Sequence, residues 1–344
     1  MRNHEITKVQ PLLNEQGNLA EPGWSRKLVQ QYDRKAIKAL PFRIKEWDYY
    51  LIYNDRFAIA LTMDDNAYMS MLSASFIDFT VPGETTVSPI GVMPMGKVNL
   101  PASSAAGVSK WSIPDKKHPA DFTFTVENGV RKLQCKMENF KGGKPFVCDI
   151  TLSEEPRDSM VIATPFAGAP KAFYYNQKIN CLRADGWCQF DGRKYVFDPS
   201  EAMGVLDWGR GVWTYKNTWY WGSGSGWVNG QREKANALVC PIVKPMGYIA
   251  LFTESGSIVG KFTVDGKVSS LNSFLTPDSE YYAVAGDYPD VEWLADVDGS
   301  YGENDNGIFF FTIDGKYVEW TGTYLYSDIP FEVDNPVVRY AEVD

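Results

Sequence analysis

Residues 46–79 read Glu46-Trp-Asp-Tyr-Tyr-Leu-Ile-Tyr53, Asn54-Asp55-Arg56, Phe57-Ala-Ile-Ala-Leu-Thr-Met63, Asp64-Asp65-Asn66-Ala67, Tyr68-Met-Ser-Met-Leu-Ser-Ala-Ser-Phe-Ile-Asp-Phe79. Three runs rich in aromatic and aliphatic residues alternate with period two, and Asn/Asp clusters separate them. That pattern predicts three antiparallel strands joined by hairpins. In the third run Tyr68, Leu72, Ala74 and Phe76 share one face, and Met69, Met71, Ser73 and Ser75 the other. Both faces are fairly apolar, as expected where one lies on a core or cavity and the other under another element.

The same pattern extends outward. Residues 80–120 are rich in Pro, Gly and Ser, with a short strand expected over 96–100. Strand-like runs resume at 121–126, 131–140 and 145–152, between Asn128-Gly129 and Gly142-Gly143 turns. Residues 153–170 (Ser-Glu-Glu-Pro-Arg-Asp, later Thr-Pro-Phe-Ala-Gly-Ala-Pro) form the expected boundary between two halves. Further strands are expected at 171–180, 187–190 and 193–197, and from 235 to 324. Five Asp-Gly and three Asn-Gly steps mark the chain, and each favours the positive-φ turns that close short hairpins.

The fold class read from this is all-β: an antiparallel meander forming two packed lipocalin-like barrels, which leave few open edges. The expected division is an N-terminal arm and short helix over 1–42, a first barrel-like half over 43–160 and a second over 161–344. The helix is placed at 26–40 and bounded by Pro41, because the residue before a proline avoids the helical region.

Composition narrows the function. The 344 residues carry a formal net charge of −9 and no basic run, which argues against nucleic acid and anionic membrane surfaces as partners. No stretch approaches the ~20 apolar residues of a membrane span, and the N-terminus has no apolar signal core, so a cytoplasmic protein is expected. The five cysteines include no CxxC, and His4 and His118 are the only histidines. No metal site is expected, and the cysteines read as buried free thiols in a reducing compartment. No cofactor is implied either. Gly222-Ser-Gly-Ser-Gly226 lacks the following helix and third glycine of a phosphate loop, and reads as a flexible hairpin. A Ser-His-Asp triad would rest on His118, which sits in a turn.

The densest aromatic stretch is Val205 to Gly226, with four of the eleven tryptophans: Trp208, Trp213, Trp219 and Trp221. Asp207 and Arg210 lie inside it. If the strand runs on through Gly209, these two face opposite sides; if Gly209 and Gly211 form a bulge, they pair. Glu46 and Asp48 flank Trp47 at a spacing that puts both carboxylates on one strand face, as a solvated face or as an acid–base pair with divided roles. Tyr174, Asn176 and Lys178 alternate to one side of another strand, as a wall ladder or a polar patch.

Two blocks carry a resemblance. The first runs from Gln10-Pro-Leu-Leu-Asn-Glu-Gln-Gly17 through Pro22-Gly23-Trp24 to Lys45-Glu-Trp-Asp-Tyr-Tyr50. The second is Ala172-Phe-Tyr-Tyr-Asn-Gln-Lys-Ile-Asn180 with Asp207-Trp-Gly-Arg-Gly-Val-Trp213 and Trp219-Tyr-Trp-Gly222. Over residues 8–226 the chain resembles the bacterial family catalogued as domain of unknown function 2804. Its last third departs from that pattern from Gln231 onwards. More remotely, the layout is similar to two-domain lipocalin-like proteins such as carotenoid 1,2-hydratases and tocopherol cyclases. The resemblance implies two lipocalin-like halves and carries no assigned activity.

Three functions are compatible with these readings. The first is binding of a largely apolar, lipid- or isoprenoid-like small molecule, with Trp47, Trp208, Trp213, Trp219 and Trp221 as apolar walls. Arg210 with Asp207, and Tyr174, Asn176 and Lys178, would then orient a polar end. The second is an enzyme hydrating, cyclising or isomerising an alkene, with Asp207, Asp48 or Glu46 as proton donor. A neighbouring Arg210 speaks against Asp207 in that role, because a cation favours the charged carboxylate. The third is a structural or interaction module in which the aromatics are simply core.

Overall fold

The computed structural model describes residues 5–214, except Pro82, Arg157, Asp158 and Ala167, and beyond them the backbone of nine strands. The chain divides into two compact units, one spanning Glu5–Thr214 and the other Tyr215–Asp344. The first unit contains β1 (Gln10–Pro11), β2 (Gly23–Ser25), β3 (Gln30–Gln31), β4 (Ile44–Tyr53), β5 (Phe57–Asp65), β6 (Met69–Asp78), β7 (Glu84–Val87) and β8 (Ile90–Val92). It continues with β9 (Gly107–Ile113), β10 (Ala120–Glu127), β11 (Val130–Lys141), β12 (Lys144–Ser153), β13 (Met160–Phe166), β14 (Ala169–Phe190), β15 (Arg193–Phe197) and β16 (Met203–Val212).

The all-β class holds. One large antiparallel sheet runs β7-β6-β5-β4-β16-β14-β12-β11-β10-β9, with β8 beside β6, β15 beside β14, and β13 between β14 and β2. Among the described strands, hydrogen bonding does not close this sheet into a barrel. Its far end still returns to its beginning: β9 lies against β6, and Trp111 Nε1 of β9 donates to Ser70 Oγ of β6 at 3.0 Å. The stretch expected to separate two halves holds β13, paired within this sheet.

β4 shows how the sequence pattern becomes a layer. Ile44, Glu46, Asp48, Tyr50 and Ile52 are buried, and the residues between them are half-buried. The inner face is the one on which Tyr50 meets Phe124 of β10 edge to face, with ring centres 5.2 Å apart. β14 is 22 residues long and changes partners along its length. Its first half lies between β13 and β16, its second between β12 and β15. A bulge marks the changeover: the register with β16 slips between Ile179 and Leu182, and Cys181 adopts φ 58°. An extra residue bends the strand and increases its twist, which lets one strand serve two neighbourhoods.

The expected N-terminal helix over 26–40 is not formed. Gln30–Gln31 is instead β3, parallel to β1, and only short 3-10 turns follow at Arg34–Ala36 and Pro41–Arg43. Tertiary partners take the backbone carbonyls that a helix would need. Leu12 N donates to Gln31 O at 2.9 Å, and Tyr175 Oη to Gln30 O at 2.8 Å. The strand expected at 96–100 is a turn, and the strands of this region are β7, β8 and β9.

In the second unit, β17 (Tyr220–Val228), β18 (Gln231–Cys240), β19 (Met246–Thr253) and β22 (Tyr281–Ala285) form one antiparallel sheet. β20 (Lys261–Val264) pairs with β21 (Lys267–Ser270), and β23 (Asn306–Ile313), β24 (Lys316–Thr323) and β25 (Phe331–Val333) form a third sheet. Among the described residues no helix is long and apolar enough to cross a membrane.

Candidate functional site

The residues singled out in the sequence converge on three adjacent strands, with β16 between β4 and β14. Arg210 stands opposite Glu46 and Tyr175, and Trp208 opposite Asp48 and Gln177. Asp207 stands opposite Tyr49 and Lys178, and Gly209 opposite Trp47 and Asn176. β16 runs unbroken through Gly209, so Asp207 and Arg210 project from opposite faces and do not pair. The glycines give flatness where a bulge had been one option. A Cβ at Gly209 would overlap the Trp47 ring, and one at Gly211 would crowd Phe173 O.

The inner face is a buried ionic lattice. Arg210 is fully buried; its Nη2 donates to Asp48 Oδ1 at 2.9 Å and to Pro101 O at 2.8 Å. Its Nη1 donates to Trp47 O and Gly209 O, and its guanidinium lies 4.3 Å from the centre of the Trp208 ring. Asp48 Oδ2 accepts from Ser109 Oγ at 2.8 Å. Glu46 accepts from Tyr32 Oη at 2.7 Å and from Arg34. Burial first, and then the Glu46 carboxylate, push the Tyr32 hydroxyl well above its ordinary range. The pair Glu46 and Asp48 is thus neither solvated nor free: each carboxylate is tied to its own cation.

The opposite face is organised on Asp207. Its Oδ1 accepts from Asn176 Nδ2 at 2.6 Å and Trp47 Nε1 at 3.2 Å, and its Oδ2 from Lys178 Nζ. Burial pulls the Lys178 amine below its ordinary value, while Asp207 opposes that shift. Asn176 is fully buried with its Oδ1 unpartnered. Aromatic rings wall this hub. Trp47 stacks on Tyr174 at 5.9 Å and lies 5.9 Å from Trp213, which meets Tyr174 edge to face at 5.1 Å. The Asp207 side chain keeps 14% of its surface open, against 2% for Lys178.

Of the residues expected at a site, Glu46, Asp48, Trp208 and Arg210 therefore meet inside. Trp47, Tyr174, Asn176, Lys178, Asp207 and Trp213 meet on the other face. Trp219 lies outside the described residues, and Trp221 falls in β17, whose side chain there is likewise outside them. The sequence reading missed Asp64, which stands opposite Trp47 on the Asp207 face. It is buried, and its Oδ1 has no hydrogen-bond partner. Burial pushes its carboxyl up to about 7; Asp65 adds to this, and Met71 N, Asn66 and Lys45 oppose it. The Asp-Asp-Asn run reads as turn chemistry, yet β5 continues to Asp65. Among the described residues, no three His, Cys, Asp or Glu side chains are arranged to hold a metal.

The flatness of Gly209 can be tested directly. Gly209→Ala is expected to push the Trp47 indole off β16, break its bond to Asp207, and cost about 1–3 kcal/mol through overpacking. Near-ultraviolet circular dichroism with urea titration measures both effects. An unchanged aromatic spectrum would show that Trp47 does not rest on Gly209.

The model of the family described as domain of unknown function (DUF2804) matches residues 3–236. No curated protein matches the chain. Among solved structures, it is similar to an AttH-like protein from Nitrosomonas europaea at 14% identity, covering 86% of this chain and 96% of that one with a TM-score of 0.40. It is also similar to kievitone hydratase from Nectria haematococca at 11% identity, covering 82% and 84% with a TM-score of 0.36. Overlap at this level fixes neither fold nor activity.

Proposed function

We propose, from the premise that this chain belongs to the DUF2804 family, that its Asp207 face binds a largely apolar small molecule carrying a polar end. One observation carries this reading: a single carboxylate, held by three donors and still partly open, sits among the rings of Trp47, Tyr174 and Trp213. Ligand sites have this make-up, with apolar and aromatic walls and a few placed polar groups. Lys178 takes the orienting role first given to Arg210, since Arg210 serves the opposite face. The ligand class stays lipid- or isoprenoid-like, because rings dominate the wall.

Native mass spectrometry and organic extraction of the purified protein test the reading. A bound apolar molecule is expected to co-purify with the wild type. Asp207→Asn, which removes a charge-assisted contact, is expected to weaken its retention about tenfold or more. A wild-type protein that carries nothing and takes up no apolar probe would leave the aromatics as plain core.

Asp64 favours a second reading, acid-catalysed hydration, cyclisation or isomerisation of an alkene. Proton donation at neutral pH needs a carboxylic acid titrating near 7. Asp207, Asp48 and Glu46 are each engaged by a cation, whereas Asp64 has a free oxygen beside Trp47 and the raised titration that the role requires. With a substrate in hand, full turnover by Asp64→Asn would remove it as the donor.

A further inference from the structure

Three cysteines that no function above uses stand side by side in the first unit. Cys148 of β12 is directly opposite Cys135 of β11 on one side and directly opposite Cys188 of β14 on the other. The row continues to Phe122 of β10 and Tyr195 of β15. All three cysteines are buried and free, and the thiols of Cys135 and Cys148 are in hydrogen-bond contact. Alternation of side chains puts directly opposed residues on the same face of the sheet.

The two pairs differ in backbone geometry. In an antiparallel sheet the N–H and C=O of one residue point to the same neighbouring strand. Cys148 therefore forms a hydrogen-bonded pair with one neighbour, with Cα atoms about 5.5 Å apart, and a non-hydrogen-bonded pair with the other, at about 4.5 Å. Both separations lie within the roughly 4.4–6.8 Å that a disulfide spans. Cys148 can bond only one partner at a time.

We propose that Cys148 is the shared member of two mutually exclusive cross-strand disulfides, with Cys135 as the preferred partner and Cys188 as the alternate. The oxidant is a small-molecule disulfide. The Cys148 thiolate attacks one of its sulfurs, forming a mixed disulfide and releasing one small thiol. The Cys135 thiolate then attacks the Cys148 sulfur, closing the protein bond and releasing the second small thiol. Two electrons pass to the small disulfide, and the two protein protons end on the released thiols. Burial raises both the Cys135 and Cys188 thiols above their ordinary range, so they react when the sheet opens or during folding, and the finished bond is shielded from reductant.

The full-length protein is equilibrated with mixtures of oxidised and reduced glutathione in sub-denaturing urea, quenched in acid, alkylated under denaturing conditions and mapped without reduction. A Cys135–Cys148 cross-link is expected in the wild type, together with a higher melting temperature of the oxidised form. Cys135→Ser is expected to move the cross-link to Cys148–Cys188, and Cys148→Ala to abolish both. Cys181, buried at the bulge of β14 and outside the row, serves as the internal control and is expected to stay alkylatable. Alkylation of Cys135, Cys148 and Cys188 alike at every glutathione ratio, or a bridge from Cys148 to Cys181 or Cys240, overturns the proposal. If Cys135→Ser does not fold, Cys135→Ala replaces it; the wild-type map decides the preferred pair by itself.

Discussion

Arg210→Ala is expected to destabilise the Glu5–Thr214 unit by about 3–5 kcal/mol, the loss that follows when one partner of a buried ion pair is removed. The guanidinium is fully buried and supplies donors to Asp48 and to the carbonyls of Trp47, Gly209 and Pro101. Without it, Asp48 keeps its charge in the interior with Ser109 as the remaining side-chain donor. Arg210→Lys is expected to recover little, because an ammonium cannot reproduce a planar fork reaching four acceptors. Arg210→Met combined with Asp48→Leu is expected to recover most of the loss, since a well-packed apolar pair can match a buried ionic one. Urea midpoints of the four proteins test the set. If Arg210→Ala stays within 1 kcal/mol of the wild type, the lattice is not what fastens β4 to β16.

The second large effect concerns pH. Asp64 titrates at about 7 in the folded chain against 3.8 when unperturbed, chiefly through burial. The folded state therefore holds this proton more tightly than the unfolded state. Its contribution is neutral below about pH 4, becomes unfavourable as pH rises from 4 to 7, and is fully unfavourable above 7. Asp64→Asn carries no such charge. It is expected to match the wild type at acid pH and to exceed it at pH 8 by about 4 kcal/mol, at 1.36 kcal/mol per pH unit. The groups facing Asp64 are Lys45, Asp65, Asn66 and the Met71 amide, so Lys45→Met is expected to enlarge the penalty. Melting curves from pH 4 to pH 8 separate these outcomes, and equal stability of Asp64→Asn and wild type at pH 8 would rule out a strained Asp64.

The parts of this fold that show in the sequence are those where one strand face is buried along its whole length. β4, β10, β11 and β12 announce themselves by alternation, because burial imposes period two on the residues themselves; β5 and β6 show as apolar runs between Asn/Asp clusters, and β15 by the Asp191-Gly192 turn before it. β9 and β13 do not. Ser, Gly and Pro surround them, and their place is set by the strands they pair with, β10 in one case and β14 and β2 in the other. The N-terminal segment misleads for a related reason: its Leu, Val, Gln and Tyr permit a helix, but β1 and Tyr175 take its carbonyls.

The site divides in the same way. That Tyr174, Asn176 and Lys178 share one face follows from period two; that Trp47 and Asp207 join them shows only once β4, β16 and β14 lie side by side. That Arg210 serves Asp48 and not Asp207 does not follow from period two, because the choice depends on which strand lies beside β16. No local pattern encodes a pairing across 162 residues. Asp64 stayed hidden because two acids and an asparagine in a row are good turn residues wherever they fall.

The position of β16 between β4 and β14 also bears on how the chain is made. Ribosomes release chain at roughly 5–20 residues per second, so β4 waits about 8–30 seconds for the strand that will cover its edge. Throughout that interval Asp48 has no Arg210, and a ten-residue strand stands with a row of unpaired backbone groups, the form in which sheets recruit other chains. Asp48 then acts as a gatekeeper, since a charge on an edge strand discourages a neighbour from joining it. The same acid that the finished core must neutralise protects the nascent chain until its partner emerges.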